Sequence, residues 1–142
     1  MKIALASDEA AALPLALAQR LRDDGHEVVA FGAILDERDD DWAASARAAA
    51  QAVAGGSCAF GIVCCWTGTG ASIAANKVPG VRAALCGDAE TAAGARRWND
   101  ANVLALSIRA TSLPVALEVL AAFLREAPTD DPTYRAMFES LP

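Results

Sequence analysis

Phe60-Gly61-Ile62-Val63-Cys64-Cys65-Trp66-Thr67-Gly68-Thr69-Gly70-Ala71-Ser72-Ile73-Ala74-Ala75-Asn76-Lys77 is the stretch on which the reading of this chain turns. Its first residues form an apolar run without polar alternation, the pattern of a strand buried on both faces. Strands of that kind belong to parallel sheets covered by helices on either side. The run then delivers a thiol, a hydroxyl and a glycine-rich turn to the start of a helix. There the main-chain N–H groups face a common point and favour an anion.

Working outward, the same alternation of strand and helix recurs along the whole chain. Lys2 to Ala6 reads as a first buried strand, followed by a helix from about Ala11 to Asp24 with Leu13, Leu17 and Leu21 on one face and Pro14 in its first turn. Gly25 ends it, and Glu27 to Phe31 forms a second strand before an acidic loop over Asp36 to Asp41. The alanine-rich segment Trp42 to Ala54 is helical by propensity, and Gly55-Gly56-Ser57 breaks it. Strand three is expected over Ala59 to Cys64, with the next helix opened by the Thr67 to Gly70 turn. After the Pro79-Gly80 turn come strand four at Val81 to Cys86, a helix from Ala89 to Arg97, strand five at Asn102 to Leu106 and a helix from Leu113 to Arg125. A proline-punctuated segment beyond Pro128 leads into a short terminal helix, expected to pack on a partner subunit. The predicted fold is α/β: a three-layer α/β/α sandwich on a five-stranded parallel, Rossmann-like sheet. Ligands of such sheets bind at the C-terminal ends of the strands near a switch in strand order. Ser7-Asp8 and Cys65-Thr67 then become neighbours.

The bulk numbers fit one such domain. The chain has 142 residues, 54% of them hydrophobic and 21% charged, enough for one packed core and too few for two ordinary domains. A formal net charge of −6 provides no broad positive field for a nucleic acid. No segment reaches the ~18 consecutive apolar residues of a membrane span, and the short apolar start meets acidic residues at once, unlike a signal peptide. The four cysteines, Cys58, Cys64, Cys65 and Cys86, show neither CxxC nor regular spacing, so the expectation is reduced thiols in a cytoplasmic protein with no metal site and no cofactor.

Several residues could carry chemistry, each beside a plainer reading. The Thr67-Gly68-Thr69-Gly70 turn suits a phosphate or a developing oxyanion, and it equally suits an empty strand-to-helix turn. No Gly-Lys-Ser/Thr follows, so it is not a Walker loop. Cys65, at a helix start, is placed to act as a thiolate base or nucleophile; buried and inert is the common fate of a cysteine. Asp8 and Glu9 end strand one, where carboxylates could bind ligand hydroxyls or cap the next helix. Asn99 precedes strand five as a ligand group or a turn former, and Arg109, just past strand five, is the arginine best placed to meet a phosphate. His26, the single histidine, reads as a surface turn residue.

Taken together, Ser7-Asp8-x-Ala10, Gly25-His26-Glu27-Val28, the run from Cys65 through Thr67-Gly68-x-Gly70 and Ser72-Ile73-Ala74-Ala75-Asn76-Lys77 to Ala84, and Asn99-Asp100-Ala101-Asn102 resemble the RpiB/LacA/LacB family of sugar-phosphate isomerases. The likeness covers nearly the whole chain. It implies metal-free interconversion of aldose and ketose phosphates through a cis-enediolate, in a homodimer or homotetramer whose active sites lie at a subunit interface. Carried over by motif position, Cys65 corresponds to the base moving a proton between C1 and C2 and Thr67 to a hydroxyl assisting at the oxygens. Gly68, Thr69 and Gly70 correspond to the anion hole, Asp8 and Asn99 to hydroxyl-binding groups, and Arg109 to a phosphate ligand.

Departures from the family pattern point to an altered substrate. Glu9 and Ala11 replace a histidine and a glycine after strand one, Trp66 replaces the glycine after the cysteine, and Trp98 stands where a histidine helps to open a furanose ring. The C-terminal arginine-rich phosphate clamp is reduced to Pro132, Thr133 and a displaced Arg135. Indole has no acid-base function but can shape a pocket or stack on a sugar face. An open-chain tetrose or tetrulose phosphate needs no ring opening, and Glu9 raises the further possibility of an unphosphorylated sugar. The competing expectation, from another class, is a family member without catalysis that binds a sugar or phosphate metabolite.

Overall fold

The computed structural model describes all of Met1–Pro142, and its elements run β1 (Lys2–Ser7), α1 (Ala12–Asp23), β2 (Glu27–Gly32), α2 (Ala33–Asp36), α3 (Trp42–Ala54), β3 (Phe60–Cys65), α4 (Thr69–Asn76), β4 (Ala83–Leu85), α5 (Ala89–Asn99), β5 (Val103–Ser107), α6 (Leu113–Arg125) and α7 (Pro132–Glu139). The five strands form one parallel sheet in the order β2-β1-β3-β5-β4. Successive strand residues point to opposite faces. Ile3, Leu5, Ile62, Cys64, Leu104 and Leu106 therefore enter one core, with Leu13, Leu17 and Leu21 of α1 and Val119, Leu120 and Phe123 of α6. The alternate residues Ala4, Ala6, Val63, Cys65, Val103 and Ala105 enter a second core under α3 and α4.

The two cores differ in grain. The α3/α4 side is built almost entirely of small residues, Ala46, Ala49 and Ala50 meeting Ala71, Ala74 and Ala75, so these helices approach the sheet closely. At Gly32 the approach is close: φ is +61°, and a Cβ there would lie 2.5 Å from the Ser7 carbonyl oxygen and 2.7 Å from Ser45 Cβ. Only glycine satisfies both conditions.

The chain leaves β1 through α1 on the large-residue face and returns over β1 through α3 on the other, to lie beside it as β3. Adjacent β1 and β3 thus send their helices to opposite faces, which opens a crevice between their C-terminal ends. The carboxylate-bearing end of β1 and the thiol-bearing end of β3 flank that crevice.

The expected α/β/α sandwich is observed, with local differences. α3 and α6 have the expected bounds; the Asp41 side chain accepts from the Ala43 and Ala44 N–H groups, and Ser112 accepts from that of Val115. β3 is shifted by one residue and ends on Cys65 itself. β4 shrinks from the expected six residues to Ala83–Leu85, because the Arg82 N–H is taken by the Asn102 side chain at 2.8 Å and Ala83 N–H by that of Asn76 at 2.8 Å. α2, a four-residue turn after Gly32, was not expected. The C-terminal segment makes contacts with its own chain. Thr129 N–H donates to the Arg97 carbonyl at 2.9 Å, Trp98 and Tyr134 meet as tilted rings with centroids 4.8 Å apart, and Phe138 is buried.

Candidate active site

Cys65 is the last residue of β3, and its side chain turns into the small-residue core beneath α4. Its Sγ accepts the Ala71 N–H at 3.4 Å, so the first turn of α4 holds the sulfur. Its carbonyl oxygen accepts from Gly68 N–H at 3.2 Å and Ile108 N–H at 3.0 Å. Cys64 points to the other face, where complete burial, with the adjoining Cys65 and Asp8, pushes its thiol up to about 12. Of the adjacent pair, only Cys65 is held by a helix start on the rim.

The turn after Cys65 is set by packing. Gly68, the N-cap of α4, has φ +77°, and a Cβ there would meet Leu85 Cδ1 at 2.5 Å and the Leu106 main chain at 2.9 Å. The Thr67 and Thr69 hydroxyls share a hydrogen bond of 2.8 Å. Ala71 N–H goes to the thiol and Ser72 N–H to the Gly68 carbonyl, leaving the Thr69 and Gly70 N–H groups as the open donors of the helix start.

Across the crevice, Ser7 pairs in register with Cys64, which brings Asp8 alongside Cys65. The Ser7 hydroxyl donates to the Glu9 carbonyl at 2.8 Å and accepts its N–H at 3.2 Å, fixing the bend that turns the chain out of the sheet. Asp8 carries one carboxyl oxygen that is buried without a partner. Burial, reinforced by the charge of Asp39, holds its carboxyl above the ordinary range; Glu9 is raised by burial, then by Asp8 and Asp39. Neither caps a helix: α1 begins at Ala12 behind Ala11, which makes no side-chain cap.

On the other side, Arg109 lies just past β5, and its N–H donates to the Trp66 carbonyl at 2.9 Å. Thr67 and Arg109 line one cavity of about 360 Å³ with Cys86, Ser107 and Thr111. Trp66 stands half-exposed on the rim. Asp8, Glu9, Cys65, Thr67, Gly68, Thr69, Gly70 and Arg109 thus all lie at or just past the C-terminal ends of β1, β3 and β5 on one rim, and of these Thr67 and Arg109 share a cavity. No group of three His, Cys, Asp or Glu side chains converges to hold a metal ion.

Trp98, Asn99 and Arg135 are elsewhere. α5 starts on the rim at Ala89 and runs 11 residues away from it, roughly 16 Å at 1.5 Å per residue. Asn99 ends that helix at the opposite edge of the sheet, beside a cavity shared with Trp98, Tyr134 and Met137. Its position is fixed by Asp100, which adopts φ +45° and is gripped by Arg82 at 2.8 Å and Arg96 at 3.1 Å. Arg96 is itself buried, 4.7 Å over the Phe60 ring. Arg135 is paired with Glu139 of its own helix at 3.1 Å. His26 also sits away from the crevice, its Nδ1 3.1 Å from the terminal amino group.

Two residues on the active rim escaped the sequence reading. Trp42 opens α3 and lies against Gly70, 28 positions later, a contact with no local signal. Ser107 donates to the Trp66 carbonyl at 3.0 Å and accepts the Ala110 N–H at 3.0 Å. It pairs with Cys65 across β3 and β5, so strand order alone would have revealed it.

A thiol, a hydroxyl and open helix-start donors stand on the C-terminal rim of a three-layer sheet, and the proteins this chain matches are aldose-ketose isomerases. The chain belongs to the ribose/galactose isomerase family, whose model matches residues 3–136. It is 37% identical over 125 residues to ribose-5-phosphate isomerase B of Mycobacterium tuberculosis strain H37Rv, covering 87% of this chain and 77% of that protein. It is 35% identical over 112 residues to galactose-6-phosphate isomerase subunit LacB of Clostridium acetobutylicum, covering 79% and 64%. A solved ribose-5-phosphate isomerase B from Clostridium thermocellum superposes with a TM-score of 0.91 at 38% identity, over 98% of this chain and 93% of that one. No helix is long and apolar enough to cross a membrane.

Proposed function

We propose that this chain isomerises a short sugar phosphate between aldose and ketose forms, with Cys65 as the base, in sites assembled from two copies. The observation that carries the reading is the position of Cys65 Sγ, 3.4 Å from the Ala71 nitrogen, beside the open Thr69 and Gly70 N–H groups. In the aldose-to-ketose direction the thiolate removes the proton from C2 and the carbonyl π electrons move onto O1. O1 gains charge only as the reaction advances, so preorganised N–H donors favour the transition state over the bound substrate. Thr67 relays a proton between O2 and O1, and the proton held on sulfur returns to C1. General-base transfer of this kind contributes about 10²- to 10⁴-fold. Arg109 receives the phosphate, and Asp8 and Glu9 take substrate hydroxyls on the β1 side.

Two further features shape the proposal. Asn99 and Trp98 lie roughly 16 Å from the rim within one chain, so they meet a Cys65 only across a two-fold axis. Trp98, Tyr134, Met137 and Leu141 present an exposed apolar face there, suited to a second copy. Trp98 in place of an acid-base group, with His26 remote, supports an open-chain substrate, a tetrose or tetrulose phosphate.

Solvent deuterium incorporation into four-, five- and six-carbon aldoses and ketoses, with and without phosphate, tests the reading. The expected result is exchange at C1 and C2 that is fastest for four-carbon phosphates and abolished in folded Cys65→Ala. Saturable binding without exchange would instead establish a binding protein, and faster turnover of ribose 5-phosphate than of tetrose phosphates would refute the open-chain substrate.

A further inference from the structure

Trp42 lies against the first turn of α4, which carries the open Thr69 and Gly70 N–H groups. An added Cβ at Gly70 would sit 2.8 Å from Trp42 Cε3, 3.1 Å from Cδ2 and 3.1 Å from Cζ3. Gly70 is helical and has no positive φ, so its backbone would accept alanine; the indole is what excludes a side chain. Gly70 is followed by Ala71, whose N–H holds Cys65 Sγ. A continuous path of contacts therefore runs from the indole through Gly70 and the Ala71 amide to the thiol.

The base of this path is firm. Trp42 is the first residue of α3, behind an N-cap whose Asp41 carboxylate accepts the Ala43 N–H at 2.7 Å and the Ala44 N–H at 3.0 Å. The loop before it is tied to β1 by the Asp40 N–H, which donates to the Asp8 carbonyl at 2.8 Å. The remaining surface of the indole is open to solvent, with 47% of the residue exposed.

We infer that Trp42 is a positioning residue for the reaction: its indole replaces the missing Gly70 side chain and fixes the first turn of α4. In that position the open N–H groups and the Ala71 amide keep their aim on the oxyanion and on Cys65. The inference builds on the isomerase reading and reassigns the bareness of Gly70, which serves the indole as well as the approach of a ligand.

A paired set of variants tests it. Trp42→Ala is expected to lower kcat about 10- to 100-fold with KM little changed, the loss typical of a misplacement near 1 Å, while Trp42→Phe retains most of kcat. Gly70→Ala alone is expected to be similarly slow, because its methyl displaces the indole. Trp42→Ala combined with Gly70→Ala should be faster than the product of the two single losses predicts, the methyl filling space the indole has left. A double variant at or below that product, or Trp42→Ala at wild-type kcat, overturns the inference. The rate of Cys65 alkylation by iodoacetamide, read by peptide mass, requires no substrate. It should change in Trp42→Ala and recover in Trp42→Phe; an unchanged rate in folded Trp42→Ala likewise overturns the inference. If the wild-type chain exchanges no sugar proton, the isomerase reading fails while the alkylation arm still decides the role of Trp42.

Discussion

Mixing two inactive variants should restore activity if each site is shared between two copies. Cys65→Ala removes the proposed base, and Asn99→Ala removes a group at the far end of α5. The 11 residues of that helix set them roughly 16 Å apart along the sheet axis, too far for both to touch one small substrate in a single chain. In a two-fold assembly, a heterodimer of the two variants has one site carrying both substitutions and one carrying neither. Random exchange of equal amounts makes half the dimers mixed, and half of their sites are intact, so about one quarter of wild-type activity returns. The assay is isomerisation after co-unfolding and refolding of the mixture, with each variant treated alone as the control. Recovery near one quarter supports the shared site. No recovery, with mixed dimers demonstrated by a mass tag, refutes it.

Two further outcomes rest on single side chains. Asp8→Asn should raise the melting temperature at neutral pH, because burial and Asp39 disfavour the ionised carboxyl. The folded pKa is raised, so the stability linked to this proton is fully present below the ordinary value of 3.8 and lost as pH rises through the folded value. The advantage of the variant must therefore shrink toward zero on acidification; an equal gain at pH 3 and pH 7 would count against it. Phe123→Ala should cost about 3–5 kcal/mol, since the ring is fully buried and meets Phe60 edge-on with centroids 5.7 Å apart. Urea unfolding checks this, and a midpoint shift worth under ~1 kcal/mol would contradict the packing account.

The sheet was legible because its strands carry apolar runs and its helices carry clear ends. Asp41 and Gly55 bracket α3 in the sequence as they do in space. β4 was overestimated because an edge strand loses its ends when side chains, here Asn76 and Asn102, take the main-chain N–H groups that pairing would need. Four residues are too few to show a helical period, so α2 left no trace. Cys65, Thr67, Asp8 and Arg109 could be gathered from strand ends alone, since parallel sheets collect those ends on one rim. Asn99 and Trp98 belong to the opposite end by the same logic; Asn99 was read ahead of β5 as a ligand group or a turn former, and the family resemblance joined both to the site. Trp42 depends on the approach of α3 to α4, a tertiary contact that no window of sequence contains.

The β3–β5 ladder does not stop where the strands do. Ile108 and Arg109 go on donating to the carbonyls of Cys65 and Trp66, so the thiol and the base of the arginine arm belong to one stiff girder. For the isomerisation proposed above, that girder works as a gauge. Under that proposal it fixes the spacing between the Cys65 base and the root of the Arg109 phosphate group, while Asp8 and Glu9 take the hydroxyls between them. Alterations elsewhere on the rim, such as Glu9, would then change which hydroxyls are accepted but leave that spacing untouched.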